Sequence, residues 1–129
     1  MATTPKTGGA RQSDWLVFEE CGITRYSREN IVVVAGSGPL PTGTVLGKIA
    51  ASGKYGVYDN AGTGGVETAA AILVEPIDAT AGDVKAAAVV RLAKIAPGGL
   101  TWKSSLNAAD KTAGLADLAA NGIHTVREV

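Results

Sequence analysis

Between Glu29 and Ile95 glycine and proline cut the chain into short runs rich in valine, isoleucine and alanine. That punctuation constrains the fold more than any other feature, because β-branched runs bounded by turn residues form strands. "NIVVVAG", "TVLGKIAA" and "KYGVYDN" are expected strands, the first with apolar residues on both faces. Gly47 interrupts the second and marks a bulge. "DNAGTGG" is a long turn. "ETAAAILVEPI" and "DVKAAAVVRLAKI" are two further strand runs: their alanines permit helix, but the valines and isoleucines close to Pro76 and Pro97 favour strand.

The stretch "VVVAGSGPLPTGTVLGK" invites a phosphate-loop reading, and its spacing refuses it. A Walker loop places Gly-Lys-Ser/Thr four residues after a glycine, so that backbone N–H groups and the lysine hold the phosphates. Gly38 and Gly43 have that spacing, but Thr44 stands where the lysine belongs. Counted back from Lys48, Gly47 is correct, yet Thr42 replaces the first glycine and Ile49 the hydroxyl. A dinucleotide fingerprint from Gly36 and Gly38 would need a third glycine at Pro41. Both motifs must also open a helix facing the anion, whereas "TVLGKI" reads as a strand. The stretch is therefore expected to be a turn between two strands, stiffened by Pro39 and Pro41, with its glycines at positive φ.

One segment has helical character, "LNAADKTAGLADLAANGI". Asn107 caps its start, and Asp110 lies among the exposed N–H groups of the first turn. Leu115, Leu118 and Ala119 share a face. Asn121-Gly122 ends the helix, with Ile123 folding back on Leu118, and "IHTV" closes the chain as a short strand.

Lys plus Arg and Asp plus Glu both total 12, so the formal charge is zero. No basic surface is expected to release counterions from DNA or RNA, and no nucleic-acid partner is assigned. No apolar run reaches membrane-spanning length, so no membrane partner is assigned either. The single Cys21 cannot form an internal disulfide. With aromatics at 5% and abundant alanine and glycine the core is thin, and association with further copies would help stabilise it. Residues 1–14, "MATTPKTGGARQSD", carry no apolar h-region and are expected to be a flexible arm. "DWLVFEE" has two readings: an ordinary strand over the domain's own core, or an adhesive segment that joins a partner's sheet edge.

Residues that could carry chemistry are few. His124 is the only histidine, on an alternating strand, and no Ser or Cys nucleophile sits in a glycine elbow. A Cys21–His124 thiol pair lacks any local signature. Glu19-Glu20, and Asp78 with Asp83, are better read as solvated carboxylates than as acid–base pairs. Asp59, Asn60 and Thr63 lack the spacing and terminal glutamate of a calcium loop, and zinc would need more Cys and His. Trp15 and Trp102 suit packing better than stacking on sugars or bases. No catalytic residue, cofactor, metal or small-molecule substrate is expected.

The order of "YSRENIVVVAGSGPLPTGTVLGKI", "YGVYDN…GGVETAAAILVEPIDA", "AAAVVRLAKI…GGLTW" and a closing "LAANGIHTV" resembles the head-decoration proteins of tailed phages, the lambda protein D type, over roughly residues 25–127. The resemblance implies a mostly β, small barrel or β-tulip-like domain at 26–129, with one short helix near the C-terminus. It implies an extended N-terminal arm at 1–25, and makes the glycine-rich stretch a hairpin-like connection. It further implies homotrimers on the outer surface of the expanded capsid, at threefold and quasi-threefold positions, clamping the major capsid protein against DNA pressure. The protein would be made in the host cytoplasm and carried on the virion. The arm residues expected to bind the capsid are Asp14, Trp15, Leu16, Val17, Phe18 and Glu19. Tyr26, Arg28 and Trp102 are candidates for trimer or shell contacts. The alternative is a carbohydrate- or host-binding module displayed on a virion or cell, which would need an exposed aromatic groove.

Overall fold

The computed structural model describes residues 15–19 and 27–125, with the side chains of Phe18 and Glu19 excepted. Expectations for residues 1–14, Glu20, Cys21 and Tyr26 fall outside that range. The chain is mostly β, and the described residues form ten strands: β1 (Leu16–Glu19), β2 (Arg28–Val33), β3 (Gly38–Leu40), β4 (Val45–Lys48), β5 (Tyr55–Val57), β6 (Ala69–Leu73), β7 (Ile77–Ala79), β8 (Val84–Val89), β9 (Ala93–Ile95) and β10 (Ile123–Thr125). Among the described residues a single α-helix, α1 (Ala108–Ala120), precedes β10.

Five strands close a barrel in the order β2-β5-β4-β6-β8. All its ladders are antiparallel except β2–β5, which are parallel at Val33 and Tyr55. Alternate residues line the two faces; the outward face is buried at Val45, Ile72 and Val89 and exposed at Asn30 and Lys85. One set, Ile31, Val33, Leu46, Tyr55, Ala71, Leu73, Ala86 and Ala88, fills the interior together with Leu40 and Ala79. A five-stranded barrel leaves little room inside, which is why four of those positions are alanine. The opposite set, including Val45, Ile72 and Val89, packs outward against Trp15, Ile95, Leu118 and Ile123. This second core lies beneath a three-stranded sheet, β1-β9-β10, and beneath α1. Burial on both faces explains why "AAAIL" is apolar without interruption.

Three expectations need correction. Residues 34–44 are not a hairpin connection, because β2 and β4 are not neighbours in the barrel. The stretch instead carries β3, which pairs with β7 in a separate two-stranded ribbon. Its glycines do take positive φ, at Gly36 (+87°), Gly38 (+82°) and Gly43 (+86°). "ETAAAILVEPI" divides into β6 and the beginning of β7, since Pro76 cannot donate to a ladder. "DVKAAAVVRLAKI" likewise divides into β8, in the barrel, and β9, in the outer sheet. The chain turns between them at Leu92, whose φ of 48° is left-handed. The Ser27 hydroxyl donates to the Leu92 carbonyl at 2.7 Å, and the Leu92 N–H donates to Asn121. These contacts hold a conformation that leucine alone disfavours.

The bulge expected at Gly47 lies on the strand opposite it: Leu46 pairs with Ala71 and Gly47 with Ala69, which leaves Ala70 of β6 as the extra residue. A Cβ at Gly47 would lie 2.6 Å from the Val66 Cα, so the loop before β6 crosses too closely for any side chain. The helix has the expected caps. Asn107 accepts from the Asp110 N–H at 2.9 Å while the Asp110 carboxylate accepts from the Asn107 N–H at 3.2 Å, a reciprocal capping box. At the other end Gly122 (φ +81°) donates to the Ala119 carbonyl. Leu118 is fully buried, and Leu115 packs beside it.

Candidate interaction site

Trp15 stands at the base of the leading segment and is wholly buried. Its indole N–H donates to Thr42 Oγ1 at 3.0 Å, and Thr42 donates in turn to the Val74 carbonyl at 2.5 Å. The Trp15 carbonyl accepts from the Ala96 N–H at 2.7 Å, which sets β1 alongside β9. Gly43 shapes the slot: a Cβ there would sit 2.8 Å from Trp15 Cδ1, and its φ is +86°. The glycine-proline stretch that mimics a phosphate loop is thus a socket for an indole. Trp15 accordingly belongs to the domain's own core, and the strand reading of "DWLVFEE" holds for Trp15–Glu19.

From that anchor β1 runs antiparallel to β9, with Leu16 opposite Ile95, Phe18 opposite Lys94 and Glu19 opposite Ala93, and a bulge at Val17. Leu16 packs against the core, while Val17 is 57% exposed. Among the described residues no strand pairs with the outer edge of β1. Unpaired N–H and C=O groups on such an edge template a further strand. Asp14 and Tyr26 lie outside the described residues. Arg28 opens β2 opposite Val89, half-buried, away from β1 in the ladder order.

Trp102 is half-buried and meets Tyr58 edge-to-face, with centroids 6.0 Å apart and planes at 68°. The two rings pack on Gly114, where a Cβ would approach each to 2.9 Å. Tyr58 donates its hydroxyl to the Asp110 carbonyl at 3.0 Å, and Asn60 Nδ2 donates to Asp110 Oδ1 at 3.0 Å, so the helix is clasped to the end of β5. Burial, then the carboxylates of Asp117, Asp110 and Asp59, raise the Tyr58 phenol above its ordinary value. The role of Gly114 escapes sequence reasoning because a helical glycine carries no signal of its own. The Thr42-Gly43 socket was signalled only by glycine and proline density.

The remaining polar groups are engaged separately. Asp83 accepts from Lys54 at 2.6 Å and from the Ala35 N–H at 2.8 Å. Asp59 accepts from Lys103 at 2.6 Å, and Asp78 closes a turn onto Thr80. His124 is exposed on β10, opposite Lys94 of β9. Among the described residues no group of three His, Cys, Asp or Glu is placed to hold a metal ion, and no helix is long and apolar enough to cross a membrane.

These carboxylates make an acid-lability prediction. Hydrogen bonds from Lys103, Thr80 and Lys54, respectively, hold Asp59, Asp78 and Asp83 below the ordinary carboxylate value. A depressed folded-state pKa contributes stability above the unfolded value, about 3.9, and loses it as pH falls through the folded one. Urea midpoints should therefore hold steady from neutrality to about pH 5 and fall below about pH 4. The Asp83→Asn variant should show a shallower fall. Equal acid slopes for variant and parent would contradict the assignment.

A closed barrel overlaid by an edge-open sheet, with its leading strand anchored through tryptophan, defines a small, mostly β protein. The family model for the bacteriophage lambda head decoration protein D matches residues 5–123, and the chain belongs to that family. It is accordingly a phage head decoration protein, a structural component of the virion capsid. A search of curated proteins finds no match.

Proposed function

We propose that the protein binds the outside of the expanded capsid as homotrimers at threefold and quasi-threefold positions, and there stabilises the shell against internal DNA pressure without catalysing a reaction. Residues 1–14 form the capsid-binding arm, which adds to a sheet of the major capsid protein, and the outer edge of β1 continues the same seam. The open β1 edge directly after the arm is the observation that carries this reading. Main-chain pairing along it needs no particular side chain on the partner, only an extended segment of the coat subunit. Three arms on one trimer make the later contacts intramolecular, so that weak single contacts sum to firm attachment. Tyr26, Arg28 and Trp102 remain proposed trimer or shell contacts, Trp102 through its exposed margin.

The carbohydrate-binding alternative gains no support from the described aromatics. Trp15, Tyr55 and Tyr58 are buried and Trp102 is packed on Tyr58, so these four form no open stacking platform.

Expanded, undecorated shells provide the test. The full chain should cosediment with them and run in solution at three times the chain mass, with no signal on glycan arrays. Deletion of residues 1–14 should abolish cosedimentation while leaving the thermal midpoint unchanged. The cut belongs before Trp15, since a longer deletion would also remove part of the core. A truncated protein that still bound as tightly would refute the arm.

A further inference from the structure

Three contacts from two distant parts of the chain converge on Trp15, which leads on to Leu16. Thr42 accepts from the indole, Gly43 yields the space beside Cδ1, Ala96 donates to the Trp15 carbonyl, and Leu16 leads directly into β1. Side chain and main chain are both held, at the junction between residues 1–14 and the folded body. A core that needed only apolar volume here could use leucine. Instead the site has a buried donor matched by a buried acceptor, itself tied to the Val74 carbonyl. Such a pairing fixes orientation as well as depth.

We propose that Trp15 is a positioning residue for capsid attachment: its socket fixes the point and direction from which residues 1–14 leave the domain. This inference rests on the reading of residues 1–14 as the capsid-binding arm. The physical argument is one of effective concentration. An arm leaving from a fixed origin searches a small volume near its target, and a longer tether dilutes it by roughly the −3/2 power of length. With three arms on a trimer, the dilution compounds.

A tether-length series on the full chain tests this. Gly/Ser inserts of about three, six and twelve residues between Asp14 and Trp15 leave the arm and the socket intact, and only lengthen the path between them. Thermal midpoints should match the parent throughout. Affinity for expanded, undecorated shells should fall stepwise, reaching about tenfold at the longest insert. The Trp15→Phe variant, which keeps most of the packing but loses the indole donor, should also bind more weakly at a temperature where it is fully folded. An insert series that binds uniformly would overturn the positioning role, since a purely structural tryptophan is indifferent to tether length. Deletion of residues 1–14 separates the two ideas. If the truncated chain binds like the parent, the arm reading fails and the positioning role with it. If truncation abolishes binding while the inserts do nothing, the arm stands and only the positioning role falls.

Discussion

Replacing Trp15 with alanine should destabilise the isolated domain by about 3–5 kcal/mol, the range for removing a buried tryptophan. The side chain is fully enclosed by Val45, Ile72, Ile95 and neighbouring residues of the second core. Its loss leaves a cavity between the barrel and the β1-β9-β10 sheet, and deprives Thr42 of its donor. For a domain of this size the melting temperature should drop by about 10–20 °C, and the urea midpoint should fall with little change in slope. The result also decides where the domain begins. Were residues 15–19 an appendage, the variant would unfold at the parent's midpoint. The composition of "DWLVFEE" allows both, and only the fate of its indole distinguishes them.

The second large effect is expected at Gly47. Gly47→Ala places a methyl 2.6 Å from the Val66 Cα, 2.9 Å from the Val66 carbonyl oxygen and 3.0 Å from that of Thr68. All three are main-chain atoms, so no side-chain rotation relieves the contact and the loop itself must shift. A cost of about 1–3 kcal/mol follows, at the upper end because the bulge in the β4–β6 ladder is distorted as well. Gly82→Ala supplies the control: a Cβ there meets nothing within 4 Å, and the midpoint should move by no more than about 0.5 kcal/mol. Equal effects at both positions, measured by urea denaturation, would show that the loop does not cross β4 as described.

Gly47 also shows what a sequence can disclose. It interrupts a strand run, so a bulge is legible in its ladder; what crosses Gly47 is not, because Val66 is brought in by a loop with no pattern of its own. The helix was readable from end to end, since Asn107, Asp110 and Gly122 act on their immediate neighbours. Strand positions were legible from β-branched runs, but ladder partners were not. Nothing local reveals that β2 meets β5 in parallel, or that β2 and β4 are separated by β5. The division of residues 84–95 was hidden for a similar reason: Leu92 is bent by Ser27 and Asn121, which are remote in sequence. At the candidate site the apolar segment was visible, whereas the socket that receives Trp15 came from a stretch read only as a turn.

Closure of the barrel has a consequence for selectivity. Its five members satisfy one another, so bare strand flanks among the described residues are confined to pieces three or four amino acids long, such as β1 and β10. If attachment runs along these flanks as proposed, a flank that short supports only a few main-chain bonds and would grip a stray coat subunit weakly. Where neighbouring subunits present matching segments at fixed spacing, several such grips close together. The protein would thus ignore dispersed coat protein and settle on the finished container.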